Sequence, residues 1–186
     1  GAMLLPAGAR LGPAQLGLVL SAGHSHVAVR RPPRVVVIDS GDELCDDAGR
    51  CAVHQIPASN GIMLEALVRH AVPCEVTRIG PVADRMEALA AALADAEHAD
   101  VVVTSGGASV GDHDLIRPAL AEWGAALDFW KVAIKPGKPI MLATRGRQMV
   151  VGLPGNPVSS HVTAFLFLLP LLRAMLGAAD PLPRPI

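Results

Sequence analysis

The chain has 186 residues, which is enough for one domain with a substantial core but too few for two comfortable domains. Hydrophobic residues make up 51% of it and aromatic residues only 3%, with no Tyr, so it lacks the stacking surface of a single-stranded nucleic-acid binder. Its formal net charge of −1 supplies no long-range attraction to phosphate backbones, so we expect no nucleic-acid partner and only local recognition of anions.

The hydrophobic pattern predicts an alternation of helices and strands. The predicted helices are 11–22, 60–70, 85–97 and one starting near 115, and the predicted strands are 26–29, 34–39, 74–80, 99–103, 140–143 and 148–153. This alternation is typical of a mostly parallel sheet with right-handed crossovers. We therefore expect a single α/β domain. It is predicted to span 11–177, after a cloning remnant and lead-in at 1–10 and before a linker stub at 178–186.

Cysteine usage and hydropathy indicate the compartment. Cys45, Cys51 and Cys74 lack the paired short spacing of a zinc site, and the chain has no convincing secretory signal. We therefore expect reduced thiols in a cytoplasmic protein. The apolar run at 162–172 is too short for a membrane span and contains Pro170, so it predicts a buried helix and no membrane partner.

Acidic residues follow three of the predicted parallel strands. Asp42 and Glu43 follow the strand at 34–39, Asp84 follows the next strand, and Asp114 lies beyond the central one. Each alone is compatible with an ordinary loop carboxylate, and two adjacent acids point to opposite sides of an extended chain. However, the carboxyl ends of parallel strands share one edge, where ligands bind. Like charges gathered there are costly unless a cation or basic groups offset them.

The glycine-rich segment from Thr104 to Asp114 follows the central strand. Gly106 and Gly107 allow a tight turn that presents backbone N–H groups to an anion. Asp112 or Asp114 is suited to capping the next helix. The functional alternative is that one of these carboxylates caps the helix while the other faces the ligand through a divalent cation.

Basic groups and a helix start complete the predicted cleft. Lys131 and Lys135 lie four residues apart, on one face of an extended segment, and Lys138 follows a Pro-Gly turn. This arrangement favours an anion clamp, although exposed lysines are usually only solubilising. The segment 154–157, Pro-Gly-Asn-Pro, suits an N-cap followed by Pro at the first helical position, with Ser159 adding a hydroxyl. A purely structural helix start is the simpler alternative.

Five motifs in this order resemble the molybdopterin molybdenumtransferases of the MoeA and gephyrin E-domain type, over roughly residues 11–177. They are SGDEL at 40–44, SNG at 59–61, TSGGASVGDHD at 104–114, FWKVAIKPGKP at 129–139 and GLPGNPVS at 152–159. The glycine-rich loop is shared with molybdopterin adenylyltransferases. The Lys-Pro-Gly-Lys-Pro and Pro-Gly-Asn-Pro sequences point to the molybdenumtransferase branch.

The resemblance implies a three-layer α/β/α domain with a mostly parallel sheet, similar to MogA, that binds adenylated molybdopterin and inserts molybdate with Mg²⁺ and release of AMP. It implies catalytic and Mg²⁺-binding roles for Glu43, Asp84 and Asp114. The positions that it implies for cofactor binding are Ser40, Gly41, Asp42, Ser105, Gly106, Gly107, Ser109, Lys131, Lys135, Lys138, Pro154, Pro157 and Ser159.

Two residues depart from the family pattern. Asp39 adds a charge before Ser40, and Ala58 stands where the family commonly has Asp. Full-length members also carry domains before and after this one, and a neighbouring subunit completes their active site. The alternatives are therefore a non-catalytic molybdopterin- or partner-binding module and a molybdopterin adenylyltransferase, although no clear ATP-binding motif is present. A homo-oligomer and a partnership with an adenylyltransferase stay open.

Overall fold

The computed structural model describes residues 2–106, 115–130, 132–137 and 139–183. These residues form a six-stranded sheet, a separate two-stranded pair, and helices on both faces of the larger sheet, which confirms the predicted α/β fold. The helices are α1 (Pro13–Ser21), α2 (Ser59–Ala71), α3 (Met86–Asp95), α4 (Ile116–Glu122), α5 (Pro157–Thr163) and α6 (Leu169–Met175), with a π-helical segment at Ala164–Leu168. The strands are β1 (Arg34–Ser40), β2 (Leu44–Cys45), β3 (Ile56–Pro57), β4 (Glu75–Val82), β5 (Val101–Ser105), β6 (Ala126–Trp130), β7 (Met141–Arg145) and β8 (Gln148–Leu153).

The strand order of the main sheet is β4-β1-β5-β8-β7-β6. The first four strands run parallel, while β7 is antiparallel to both of its neighbours. The β-branched residues of β1 and β5 are buried on both faces, as is typical of central parallel strands. β6 is antiparallel to β7, which is antiparallel to β8, so β6 runs parallel to β8. Its carboxyl end therefore lies at the same edge of the sheet as those of β4, β1, β5 and β8.

Alternate residues of β1 face the two sides of the sheet. Val35 packs with Leu64 of α2 in one core cluster. Val36 packs with Leu89 of α3 in the other. Because side chains alternate along a strand, Asp39 lies on the same face as Val35, towards α2.

Residues 157–175 form one continuous helical stretch. It has 19 residues and a mean hydropathy of 1.5, so by length and composition alone it could cross a membrane. The apolar run at 162–172 is only the middle part of this stretch. Ala164, Leu168 and Leu172 are fully buried in the core cluster on the α2 side of the sheet. This packing is that of a core helix in a globular domain.

Three local expectations differ from the structure. Residues 26–29 form no strand; all four are exposed, so their apolar side chains add nothing to the core that would hold a strand in place. The extended pairing stops at Trp130, so Lys135 lies in an irregular segment whose prolines cannot donate to a ladder. Cys45 and Cys51 are joined as a disulfide, with their Cα atoms 5.6 Å apart, instead of being reduced.

Candidate functional site

Three of the predicted loops meet at the carboxyl edge of the sheet. A Cβ atom placed on Gly106 would lie 2.6 Å from the Ser40 carbonyl oxygen, and one on Gly155 would lie 3.6 Å from the Gly106 Cα atom. The loops after β1, β5 and β8 therefore approach each other backbone to backbone. Gly106 also has a φ of +96°, which favours glycine.

A cavity of about 60 Å³ opens at this edge. Five of the predicted site residues line it, namely Ser40, Glu43, Ser105, Gly106 and Pro157. Asp39 and Ala58, the two departures from the family pattern, line it as well. A cavity of this size holds several water-sized groups, so it suits the edge of a ring or a small anion.

Asp42 and Asp84 join the ends of β1 and β4 through reciprocal hydrogen bonds. The Asp84 N–H donates to Asp42 Oδ1 at 3.0 Å, and the Asp42 N–H donates to the Asp84 carboxylate. Burial raises the pKa of Asp84; the hydrogen bond from Asp42 opposes this rise, and the charges of Asp42 and Glu43 add to it. The carboxylates predicted at these two strand ends are therefore close enough to interact.

Glu43 lies over the glycine that precedes it by two positions. A Cβ atom on Gly41 would be only 2.5 Å from Glu43 Oε2, and Gly41 has a φ of +150°. Within residues 2–106, 115–130, 132–137 and 139–183, no three His, Cys, Asp or Glu side chains are grouped so as to hold a metal ion. Asp114, the third predicted metal ligand, lies outside these ranges.

Asp39 supports the beginning of α2. It is 1% exposed and is the one charged residue among the buried polar side chains of the described chain. The Gly61 N–H, in the first turn of α2, donates to its carboxylate. A Cβ atom on Gly61 would collide with Asp39 Oδ2 and lie 2.8 Å from Arg78 Cδ. The glycine of the Ser-Asn-Gly motif is therefore needed for this close approach.

One oxygen of the Asp39 carboxylate lacks a hydrogen bond of good geometry. Burial raises the pKa of Asp39 to about 6, while the charge of Arg78, the Gly61 N–H and the nearby Ser105 hydroxyl act in the opposite direction. Asp39 Oδ1 nevertheless has no hydrogen-bond partner of good geometry among the described residues, and neither do Ser40 Oγ and Ser105 Oγ. Unpaired buried oxygens are costly, so the cavity is suited to a ligand that satisfies them.

The N-terminus of α2 has no capping side chain of its own. Ser59 or Asn60 is suited by residue type to cap the helix predicted over 60–70, but Ala58 occupies the N-cap position without a side-chain bond. The helix begins one residue early, and the Asn60 amide is used elsewhere, donating to the Gly155 carbonyl oxygen at 2.7 Å. Asp39 serves the helix N-terminus from the neighbouring strand.

Sequence reasoning did not place Asp39 or Arg78 in the site. The sequence does contain a pattern that indicates the position of Asp39. It follows Val35 and Val37 at a spacing of two residues, so its side chain must face the same core as theirs. Arg78 lies on β4 beside Val37 of β1, a neighbourhood that only the strand order reveals.

The start of α5 matches the prediction. Asn156 Oδ1 accepts the Ser159 N–H at 3.1 Å, and Pro157 is the first helical residue. Ser159 is half-buried, whereas Pro154 is fully buried before the turn. These contacts account for the local structure, and the binding roles of Pro154, Pro157 and Ser159 stay predictions.

Lys135 lies in the connection between β6 and β7. Met141 pairs with both Trp130 and Gly152, so this connection starts and ends at the site edge, and the Lys135 side chain is exposed. Four further residues predicted to bind the cofactor lie outside the described part of the chain, namely Gly107, Ser109, Lys131 and Lys138.

Comparisons with known proteins agree with the motifs. Residues 36–174 match the model of a family described as a probable molybdopterin binding domain. The chain is 37% identical to a molybdopterin molybdenumtransferase of Haemophilus influenzae, covering 95% of this chain and 44% of that protein. It is 31% identical to gephyrin of Dictyostelium discoideum, covering 95% of this chain and 28% of that protein.

A solved structure extends the similarity to the fold. The molybdopterin biosynthesis MoeA protein of Pyrococcus horikoshii superimposes with a TM-score of 0.80 and 33% identity, over 97% of this chain and 44% of that chain. The chain thus spans less than half the length of these three relatives.

Proposed function

The chain belongs to the family of probable molybdopterin-binding domains, and from that premise we propose that it acts in molybdenum cofactor biosynthesis as one domain of a molybdopterin molybdenumtransferase. In this proposal its cleft binds adenylated molybdopterin and molybdate in the cytoplasm, and AMP is released as the metal is inserted. The observation that carries the proposal is the cavity at the carboxyl edge, where glycine-lined loops meet beside Glu43.

The glycine-lined loops would hold the oxyanions. Gly106 and Gly155 both line the cavity, so their loops would present peptide N–H groups to phosphate or molybdate oxygens there. Lys135 adds a positive charge on the connection at the same edge, and Lys131 and Lys138 are predicted to do so as well. Recognition is therefore local, as the net charge of −1 requires.

The acidic residues fit Mg²⁺ as a cofactor. Carboxylate oxygens are the ligands that this ion prefers. Burial and, to a smaller extent, the charges of Asp42 and Glu43 raise the pKa of Asp84, and a cation nearby would relieve that cost. Mg²⁺ is commonly held by one or two carboxylates together with substrate phosphates, so a closed cage of protein ligands is not required. Glu43, Asp84 and the predicted Asp114 would hold it. When bound, the ion supplies charge neutralisation at the phosphates.

A second candidate is a non-catalytic molybdopterin- or partner-binding module that uses the same cleft. It is favoured by the buried oxygens of Asp39, Ser40 and Ser105 at the cavity, which suit the binding of a ligand without requiring chemistry. Self-association and a partnership with a molybdopterin adenylyltransferase remain predictions under either candidate.

The test is AMP release from adenylated molybdopterin by this chain with Mg²⁺ and molybdate present, measured together with binding of the same nucleotide. Release supports the transferase, binding without release supports the module, and the absence of both contradicts the two candidates. Because a metal site contributes several kcal/mol, Glu43→Gln and Asp84→Asn should each reduce release at least about 100-fold. The matched control is Glu122→Gln, at an exposed acid of α4 on the other side of the sheet.

A further inference from the structure

We propose that Asp39 is the specificity-determining residue of the cavity, where it accepts N–H donors from the 2-amino-4-oxo edge of a pterin ring. This inference rests on the proposed function, because the pterin is the part of molybdopterin that carries such an edge. It assigns a binding role to a residue that lies outside the motif positions expected to hold the cofactor.

The first argument is the position of three unpaired oxygens. Asp39 and Ser105 are direct partners in the β1–β5 register, and Ser40 follows Asp39 in the chain. All three line the cavity, with residue exposures of 1%, 2% and 3% for Asp39, Ser105 and Ser40. Asp39 Oδ1 and the two hydroxyl oxygens have no hydrogen-bond partner of good geometry within the described part of the chain, although the Ser105 hydroxyl lies close enough to Asp39 to favour its charged form.

The second argument is chemical complementarity. A buried carboxylate accepts hydrogen bonds only, whereas a serine hydroxyl can either accept or donate. The pterin edge presents an amino group and a ring N–H, both donors, beside a carbonyl acceptor. Asp39 can therefore receive the donors while Ser40 or Ser105 serves the carbonyl oxygen.

The third argument is that helix capping explains only part of this arrangement. The Gly61 N–H needs one acceptor, and Asp39 Oδ1 remains unpaired after that bond is made. Arg78 stabilises the charged form of Asp39, but its guanidinium also pairs with Asp46 on the outer side, at 3.3 Å. The carboxylate is thus held in the wall of the cavity with one oxygen lacking a partner of good geometry.

The size of the cavity limits which part of the cofactor enters. About 60 Å³ accommodates one edge of a ring system but not the complete molybdopterin with its phosphate. The phosphate-bearing side chain would then extend towards the glycine-lined loops at Gly106 and Gly155, which approach closely at the same edge.

The test compares two soluble ligands, 6-hydroxymethylpterin and its 2,4-dioxo counterpart 6-hydroxymethyllumazine, by fluorescence titration at pH 7. The second compound replaces the amino donor with a carbonyl acceptor and carries a proton on N1, while the N3–H donor and the 4-oxo acceptor are the same in both. We expect the protein to prefer the pterin at least about tenfold, because a site built for a donor rejects an analogue that lacks it. Equal affinity for the two compounds, or no binding of either, would overturn the proposal.

Variants separate recognition from folding. Asp39→Asn keeps an oxygen for the Gly61 N–H but presents an amide to the ligand, so the preference should fall to about twofold or less. Asp46→Asn is the matched control, since it removes the same charge from the outer side of Arg78 and should keep the full preference. If Asp39→Asn does not fold, the double variant Ser40→Ala with Ser105→Ala decides, because it removes both hydroxyls that could serve the pterin carbonyl and should weaken pterin binding about fivefold. Unchanged pterin affinity in this double variant would then count against the proposal.

The result is distinguishable from failure of the proposed function. A protein that prefers the pterin but releases no AMP supports this inference and leaves only the binding module. A protein that releases AMP without discriminating between the two rings retains the transferase function and loses the role assigned to Asp39.

Discussion

Replacing Asp39 with Asn should change how stability depends on pH. The folded-state pKa of Asp39 is raised to about 6 from an ordinary value of 3.8, with burial as the main cause. Between these two values the folded protein binds a proton that the unfolded chain has lost. Its free energy of unfolding therefore falls as pH rises through this window and then levels off above the folded pKa.

The size of the effect follows from the two pKa values. The full difference of about 2.2 units corresponds to about 3 kcal/mol, at 1.36 kcal/mol per unit. Between pH 4.5 and pH 7.5, where both states titrate only partly, the linkage relation gives about 2 kcal/mol. Asn does not titrate, so this pH-dependent loss is absent in Asp39→Asn. From pH 4.5 to pH 7.5 its free energy of unfolding should therefore rise by about 2 kcal/mol relative to that of the unmodified protein.

Urea unfolding of both proteins at several pH values between 4.5 and 7.5 measures this difference directly. All other titrating groups are shared, so their contributions largely cancel in the comparison. Asp46→Asn provides the control, because Asp46 is exposed and its replacement should leave the stability difference nearly independent of pH. A constant difference between the unmodified protein and Asp39→Asn across the range would refute the reasoning.

Three further changes test other contacts of the site. Gly61→Ala should lower the free energy of unfolding by about 1–3 kcal/mol despite the better helix propensity of Ala, because its Cβ would collide with the Asp39 carboxylate; urea unfolding measures the loss. Asn156→Ala should cost about 1 kcal/mol in the same assay, because the N-cap bond to the Ser159 N–H is lost. Added MgCl₂ should raise the thermal unfolding midpoint of the unmodified protein more than that of Glu43→Gln, since ligand binding to the folded state stabilises it.

Each of these changes has its own control. Gly17→Ala in α1, where a Cβ atom would meet nothing within 4 Å, should stabilise the protein slightly, and a similar result for Gly61→Ala would contradict the collision. Asn156→Ser keeps a capping oxygen and should restore most of the loss. Equal Mg²⁺ effects on the unmodified protein and Glu43→Gln would remove Glu43 from the metal site.

The sequence predicts the fold well because its local signals agree. Buried β-branched runs give β1 and β5, and the Asn-Pro pair gives the start of α5, since each requirement is met within a few residues. The segment 26–29 has a strand-like pattern, but all four residues are exposed and none joins the sheet; whether a segment docks there depends on distant parts of the chain. Local propensity cannot supply such information, which is why that prediction was wrong.

The site is harder to predict because its contacts join distant parts of the chain. Arg78 acts on Asp39 because β4 lies beside β1, and Asn60 bonds Gly155 across 95 positions of sequence. Glu43 and Asp84 could be placed near one another because parallel strands end at one edge. The reciprocal hydrogen bonds of Asp84 with Asp42 depend on how the two loops turn, and only the structure gives that.

The two departures from the family pattern have one location in common. Ala58 lacks the carboxylate that the pattern has there, Asp39 adds one, and both residues line the same cavity. The carboxylate that Asp39 adds thus lies at the end of β1, which is paired on both sides, and not in the segment before α2. A strand end surrounded by neighbours buries the group more deeply and holds it more rigidly, which accounts for its raised pKa. The protonation of a carboxylate in this cavity therefore depends on which structural element carries it. A comparison of motifs one sequence position at a time does not contain that information.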